Sequence, residues 1–219
     1  MTAFFKRNLP VAHTQGVDGV PDLMKPPTIR APDLRGLYAL FPRDTLDEIP
    51  EHEIVPADEV PEPYHRLLVH EHHMTVTVED FHGDAVDVRI LARVERDDFY
   101  ARKILLALQG SGRVVQFGIM RINLALCGSA VRKEIVAGQT PLGRILIQHD
   151  VLRRIETKSF LRIVPGNAMM KWFGLVRPRP SYGRLALIHC DGQPAVELLE
   201  IVAPETPDRK TETHARERT

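Results

Sequence analysis

The stretch Asp98 to Gln109, reading Asp-Phe-Tyr-Ala-Arg-Lys-Ile-Leu-Leu-Ala-Leu-Gln, sets one permanent charge in an apolar row. Read as a strand, it places residues two apart on one face, so Tyr100, Arg102, Ile104, Leu106 and Leu108 point the same way. A guanidinium does not shed its proton, and burying one without a partner costs several kcal/mol. Unless it snorkels to solvent at the strand end, Arg102 needs a carboxylate, supplied by the protein or by a ligand. Any fold built on this strand has to meet that requirement.

The chain has 219 residues, enough for one domain with appendages and a substantial core. Lys and Arg total 29 and so do Asp and Glu, which leaves no electrostatic footprint for nucleic acid or an acidic membrane. The two cysteines, Cys127 and Cys190, show no zinc-like spacing, and such sparse usage suits free thiols in a reducing compartment. The opening Met1-Thr-Ala-Phe-Phe-Lys-Arg-Asn lacks the apolar core of a signal peptide, and no run reaches the length of a membrane span. A cytoplasmic location is the expectation.

Ten of the 17 prolines fall at or before Pro63, and none lies between Pro63 and Pro141. Residues 1–60 therefore read as an extended arm with one helical turn near Asp44–Glu48, anchored by Leu37, Tyr38 and Phe41. It is expected to wrap the domain or a partner subunit. From Glu62 to His70 the spacing of Tyr64, Leu67 and Leu68 predicts a short helix. The following His70-Glu71-His72-His73 invites a metal reading, but two of its histidines are adjacent and no second ligand cluster completes a site. A polar helix end is favoured.

Beyond it, Met74, Val76 and Val78 alternate with polar residues, and Val86, Val88, Ile90, Ala92 and Val94 do the same after His82-Gly83-Asp84. The pattern predicts an antiparallel hairpin. With Asp98–Gln109 and Val114–Leu124 it makes a four-stranded meander, hence an antiparallel sheet. Ala125–Gly138 reads as a helix with an apolar stripe of Val131, Ile135 and Val136 that stops at Gly138. Thr140-Pro141-Leu142-Gly143-Arg144 is a turn or helix start; Val151–Val164 reads as strand-like and Ala168–Phe173 as a short helix. Asp191-Gly192 between Tyr182–Cys190 and Pro194–Val202 is a strong two-residue hairpin signal. The charged tail, residues 205–219, is expected to be disordered.

In the last strand Val196, Leu198, Glu200 and Val202 share a face, while Glu197 belongs to the other. Two strands thus each set one opposite charge in an apolar row, Arg102 and Glu200. They either form a buried ion pair or line one cavity and meet an anionic ligand between them. Pattern leaves both readings open.

The order of these pieces resembles the chorismate pyruvate-lyase-like family, from about Leu67 to Pro204. The resemblance is carried by His73-Met74-Thr75, Ala101-Arg102-Lys103-Ile104-Leu105-Leu106, Thr140-Pro141-Leu142-Gly143-Arg144, and Gly192-Gln193-Pro194 through Glu200 to Pro204. It implies an α+β fold: a single antiparallel sheet of about six strands with helices packed over it, spanning residues 61–204. It also implies cofactor-free elimination of pyruvate from chorismate to give 4-hydroxybenzoate. By the same resemblance Arg102 and Glu200 would be catalytic, Arg102 holding the ring carboxylate and Glu200 standing near the ether oxygen. Met74 and Leu142 would contact the ligand through their backbone.

One departure stands out. Related lyases carry a second site-facing arginine shortly after a glycine; here Gly118 is followed by Ile119, Met120 and Arg121. Arg121 either substitutes for it or is a surface charge; Arg177 and Arg179 are the loop alternatives, for which a solvated loop is the favoured reading. The competing reading is a non-catalytic binding module for a small aromatic or carboxylate ligand on the same fold. No metal or other cofactor is expected; the partner expected is chorismate itself, with the chain either a monomer or a homodimer through the arm.

Overall fold

At Asp191 and Gly192 the chain turns with φ of 49° and 79°, the left-handed pair that a two-residue hairpin needs to match the twist of its strands. In a computed structural model of the chain, which describes residues 31–41 and 49–205, this hairpin forms the middle of one sheet. In chain order the elements are α1 (Leu34–Tyr38), β1 (Glu51–Val55), α2 (Tyr64–Leu68), α3 (Met74–His82), β2 (Val86–Arg96), β3 (Phe99–Leu108) and β4 (Val114–Asn123). There follow α4 (Ser129–Ala137), α5 (Leu142–Gln148), β5 (Arg153–Val164), α6 (Asn167–Trp172), β6 (Ser181–Cys190) and β7 (Gln193–Val202). The seven strands are antiparallel throughout, in the order β1-β5-β6-β7-β4-β3-β2.

Both faces of the sheet are covered, so its central strands are buried almost without alternation. On one face Leu34, Leu37, Tyr38 and Phe41 around α1 join Met169 of α6 against Ala101, Phe117, Ile119, Leu185 and Leu199. Phe117 stacks on Trp172 at 5.1 Å, and the buried Lys103 ammonium lies 5.1 Å from the Tyr38 ring and 5.3 Å from Phe41. On the other face, α2 and α3 pack over Val86, Leu106 and Val202. Beside them α4 and α5 pack over Tyr100, Met120, Ile188 and Leu198. The expected α+β class, a single antiparallel sheet with helices over it, is what the chain forms. A seventh strand comes from residues 51–55, which were read as arm.

One expectation is corrected. Residues 74–82 form a helix, so the meander has three strands, β2 to β4, and begins at Val86. Met74 and Val78 are buried while Val76 is 38% exposed, which is i,i+4 spacing and not alternation. With only five residues of β-branched bias, periods of two and of about four coincide at Met74 and Val78. The deciding signal is Gly83 at φ 65°, whose N–H donates to the Glu79 carbonyl as a left-handed helix stop. The helical turn expected near Asp44–Glu48 and nearly all of the 205–219 tail lie outside the described residues.

Gly183 faces the tightest backbone approach in the sheet. A Cβ there would stand 2.5 Å from the Glu200 carbonyl oxygen and 2.9 Å from Ile201 Cγ1. Gly183→Ala is therefore expected to destabilise the fold by roughly 1–3 kcal/mol, read as a drop in the midpoint of chemical unfolding; an unchanged midpoint would contradict this packing.

Candidate functional site

Between the sheet and helices α3 and α5 lies a cavity of about 50 Å³. Its floor is the row Arg102, Ile104 and Leu106 of β3, with Gly118 and Met120 of β4 and Leu198 and Glu200 of β7 beside it. Its roof is the start of α3 (His73, Met74, Thr75) and the start of α5 (Pro141, Leu142, Gly143). Met74, Arg102, Leu142 and Glu200, four of the five residues singled out in the sequence, thus come together around one space.

Arg102 is 0% exposed. Its Nη2 donates to the Thr140 carbonyl at 3.3 Å, while Nε and Nη1 make no hydrogen bond. No carboxylate among the described residues is paired with it. Burial lowers the pKa of this guanidinium, and the Tyr100 phenol, near enough to interact with its side chain although not at full hydrogen-bond geometry, partly offsets the effect. The strand reading of Asp98–Gln109 explains the geometry: Tyr100 and Arg102 follow one another on the same face of β3, opposite Ile122 and Met120 of β4.

Glu200 is not the partner of Arg102. Its Oε2 accepts from Arg184 Nε at 2.8 Å, directly across the β6–β7 rung. Arg184, 0% exposed, also donates Nη1 to the carbonyls of Leu68 (3.2 Å) and His70 (2.9 Å), and Nη2 to that of His72 (3.1 Å). The sequence carried part of this signal, since Arg184 stands in a row with Ala186 and Ile188. The pairing depends on a bulge. At the turn Cys190 faces Gln193 and His189 faces Pro194, but after a register shift Ile188 faces Val196 and Arg184 faces Glu200. Had the register of the turn continued unshifted, Arg184 would face Leu199 and project from the face opposite to that of Glu200.

Arg121 is on the other face, paired with Glu197. It is not among the cavity residues, and neither are Arg177 and Arg179. Ile119 points the same way as Arg121, into the apolar layer beneath α1. The position that carries an arginine in related lyases therefore offers this cavity no charge. The charged groups around it are two arginines and one glutamate, a surplus of one positive charge.

His73 completes the roof; in the sequence it stood in a cluster read as a polar helix end in preference to a metal site, and in the run His73-Met74-Thr75, with no site role assigned to it. Its Nε2 accepts from Arg153 Nε at 2.6 Å, which fixes the neutral imidazole. Burial, then the charges of Arg153 and Arg184, bring its pKa from the ordinary 6.5 to about 4. His70 is likewise brought to about 4 by burial and by Arg184. The cavity residues include no clustered metal ligands, and among the described residues no group of three or more such side chains gathers. No described helix is long and apolar enough to cross a membrane.

No protein-family model matches the sequence, and no curated protein matches it. Solved structures do. The effector domain of PhnF from Mycobacterium smegmatis is 9% identical, with 63% of this chain and 91% of that domain covered and a TM-score of 0.44. A GntR-family transcriptional regulator from Bacillus cereus is 10% identical, covering 56% and 94%, with a TM-score of 0.39. YydK from Bacillus subtilis, described as a possible transcriptional regulator, is 12% identical, covering 57% and 59%, with a TM-score of 0.40. This chain spans 59% of that last chain and 65% of a solved chain of PhnF from Mycobacterium smegmatis.

The expectation of a chorismate lyase is corrected here. The site departs from what the elimination needs. Glu200 is engaged by Arg184 and does not stand free as a proton donor. Arg121 does not supply the missing arginine, and the second cavity arginine, Arg184, is engaged by Glu200.

The depressed histidines set a pH dependence. Between pH 6.5 and about 4 the unfolded chain binds protons at His70 and His73 that the folded chain refuses. Their neutral burial is fully tolerated above pH 6.5, and stability falls as pH drops from there towards 4. Melting temperature against pH should show this decline, shallower in His73→Gln; a flat profile across that window would contradict it.

Proposed function

We propose that this domain is a non-catalytic binding module that takes a small organic anion, with its carboxylate at Arg102. The observation that carries the reading is Arg102 itself, fully buried, lining the cavity, with Nε and Nη1 meeting no hydrogen-bond acceptor and the Tyr100 phenol as a neighbour. Leaving such a group without a carboxylate is costly, and a bidentate anion removes the cost. The surplus positive charge favours an anion over a neutral ligand. Both groups that could move a proton, Glu200 and His73, are already held by arginines, which favours binding over turnover.

A volume of about 50 Å³ is little more than the share of one or two waters in the liquid. An aromatic acid is therefore admitted only when the starts of α3 and α5 move outward. Those helices are tied by the pair Arg144–Glu79, which joins the first turn of α5 to the last turn of α3.

The test uses one substitution with two opposite readouts. Arg102→Met removes an uncompensated buried charge and keeps its volume, so the ligand-free protein should be more stable by about 1–4 kcal/mol. The wild type should gain melting temperature from benzoate and not from benzamide. At a hundredfold excess over Kd this gain corresponds to about 2.7 kcal/mol, and Arg102→Met should show none of it. A wild type indifferent to every carboxylate tried, or a variant that still responds, would refute the reading.

A further inference from the structure

β5, Arg153–Val164, has its two edges filled unequally. On one side β6 pairs with residues 153–163. On the other, β1 pairs only with residues 160–164. The chain then reaches Pro56, which has no N–H to extend a ladder, and turns away. Among the described residues no strand lies against 153–159 on that side. An open strand edge presents backbone N–H and C=O groups in the pattern that another extended chain completes.

Both faces beside this vacant stretch carry groups that an added strand could use. On the helix side, where Ile155 stands opposite Ile188, an open groove of about 580 Å³ lies along the start of the strand. Val76 of α3, Ile147 of α5 and Leu152 line it and are left exposed, Leu152 to 73%. On the other side Arg154 stands opposite His189, next to Glu156. That one carboxylate is shared by Lys158, His189 and Arg154. Arg153 donates to His73 and to the Val151 carbonyl and meets no carboxylate among the described residues. The stretch thus sets three cations, Arg153, Arg154 and Lys158, against Glu156 alone. The groove's own carboxylates, Glu71 and Asp150, belong to the links before α3 and after α5.

Charge decides between occupants. A second copy laid antiparallel along the whole vacant stretch would set Arg154 opposite Lys158 and Glu156 opposite Glu156, like against like. An acidic chain meets the opposite sign. The occupied half of β5 already pairs in this way: β1 reads Glu51-His52-Glu53-Ile54-Val55, and Glu53 accepts from Arg162 at 3.0 Å. Residues 44–62, from which β1 comes, hold eight Asp and Glu and no Lys or Arg.

We propose that residues 153–159 are a docking edge for an extended acidic segment of another protein, added beside β5 in line with β1. Carboxylates on one face of the added strand pair with Arg154 and Lys158. Apolar side chains on its other face enter the groove over Val76, Ile147 and Leu152, as the period of two requires. The partner is therefore a chain in which acidic and apolar residues alternate. The edge is separate from the buried cavity and does not depend on what occupies it.

The experiment is an NMR titration of the full, isotope-labelled chain at low salt with a blocked hexapeptide of alternating glutamate and valine, and with its lysine–valine counterpart. Shift changes and slowed amide exchange are expected at residues 153–157. The acidic peptide should bind at least about tenfold more tightly, since each cross-strand charge pair attracts in one peptide and repels in the other. Arg154→Glu combined with Lys158→Glu, both at solvent-facing positions, should reverse the preference. Equal affinity for the two peptides, no change at 153–157, changes confined to the partners of β1 at 160–164, or a preference unaltered in the double variant would each overturn the proposal. So would self-association that covers 153–157 without any peptide. The wild-type comparison of the two peptides needs no variant to fold.

Discussion

The Arg184–Glu200 pair is the contact on which the ligand-facing half of this protein depends. It does more than neutralise two charges. The same guanidinium caps three backbone carbonyls, those of Leu68, His70 and His72, in the irregular stretch that joins α2 to α3. Backbone groups buried without partners are expensive, so this stretch can lie against the sheet only because an arginine rises from the sheet to meet it. The start of α3, and with it Met74, Thr75 and His73 over the cavity, is positioned by that one side chain. Its charge is in turn tolerated only because Glu200 stands across the rung.

From this follows the character of the site. The glutamate that would otherwise answer Arg102 is spent on Arg184, and the three charges leave one cation over. A cavity so arranged is poor at moving protons and suited to holding an anion. The opposite face of the sheet is handled differently. There Arg121 is closed off by Glu197, and Lys103 is sheltered by the rings of Tyr38 and Phe41. On that face Lys103 thus meets the ring of Tyr38 in α1, whereas on the cavity face Arg102 has no carboxylate partner among the described residues.

Much of the architecture was legible in the chain. The Asp191-Gly192 hairpin, the strands around residues 99–108 and 114–123, the helix stop at Gly138 and the short helix near 168–173 all follow from turn chemistry and spacing that act within a few residues. The residues 74–82 were not legible by alternation alone, because five residues do not separate a period of two from one of nearly four. Only the left-handed Gly83 distinguishes them. The expectation of a lyase went further than local patterns allow, since it assumed that charges in similar places have similar freedom.

The sequence by itself determined which residues carry charge into apolar rows: Arg102 on one strand, Glu200 on another, each placed by the two-residue period of its own strand. That period is a property of the local backbone and needs no partner to be read. What only the tertiary structure decided is which of these charges meet. A single extra residue in β7 turns Arg184 onto the face of Glu200, and the strand order sets β4, with Gly118 and Gln116, between β3 and β7. Bulges and strand order arise from packing between segments distant in sequence, where a slip of one residue exchanges the two faces of a sheet. The vacant hydrogen-bonding capacity of Arg102 is the outcome of that long-range choice.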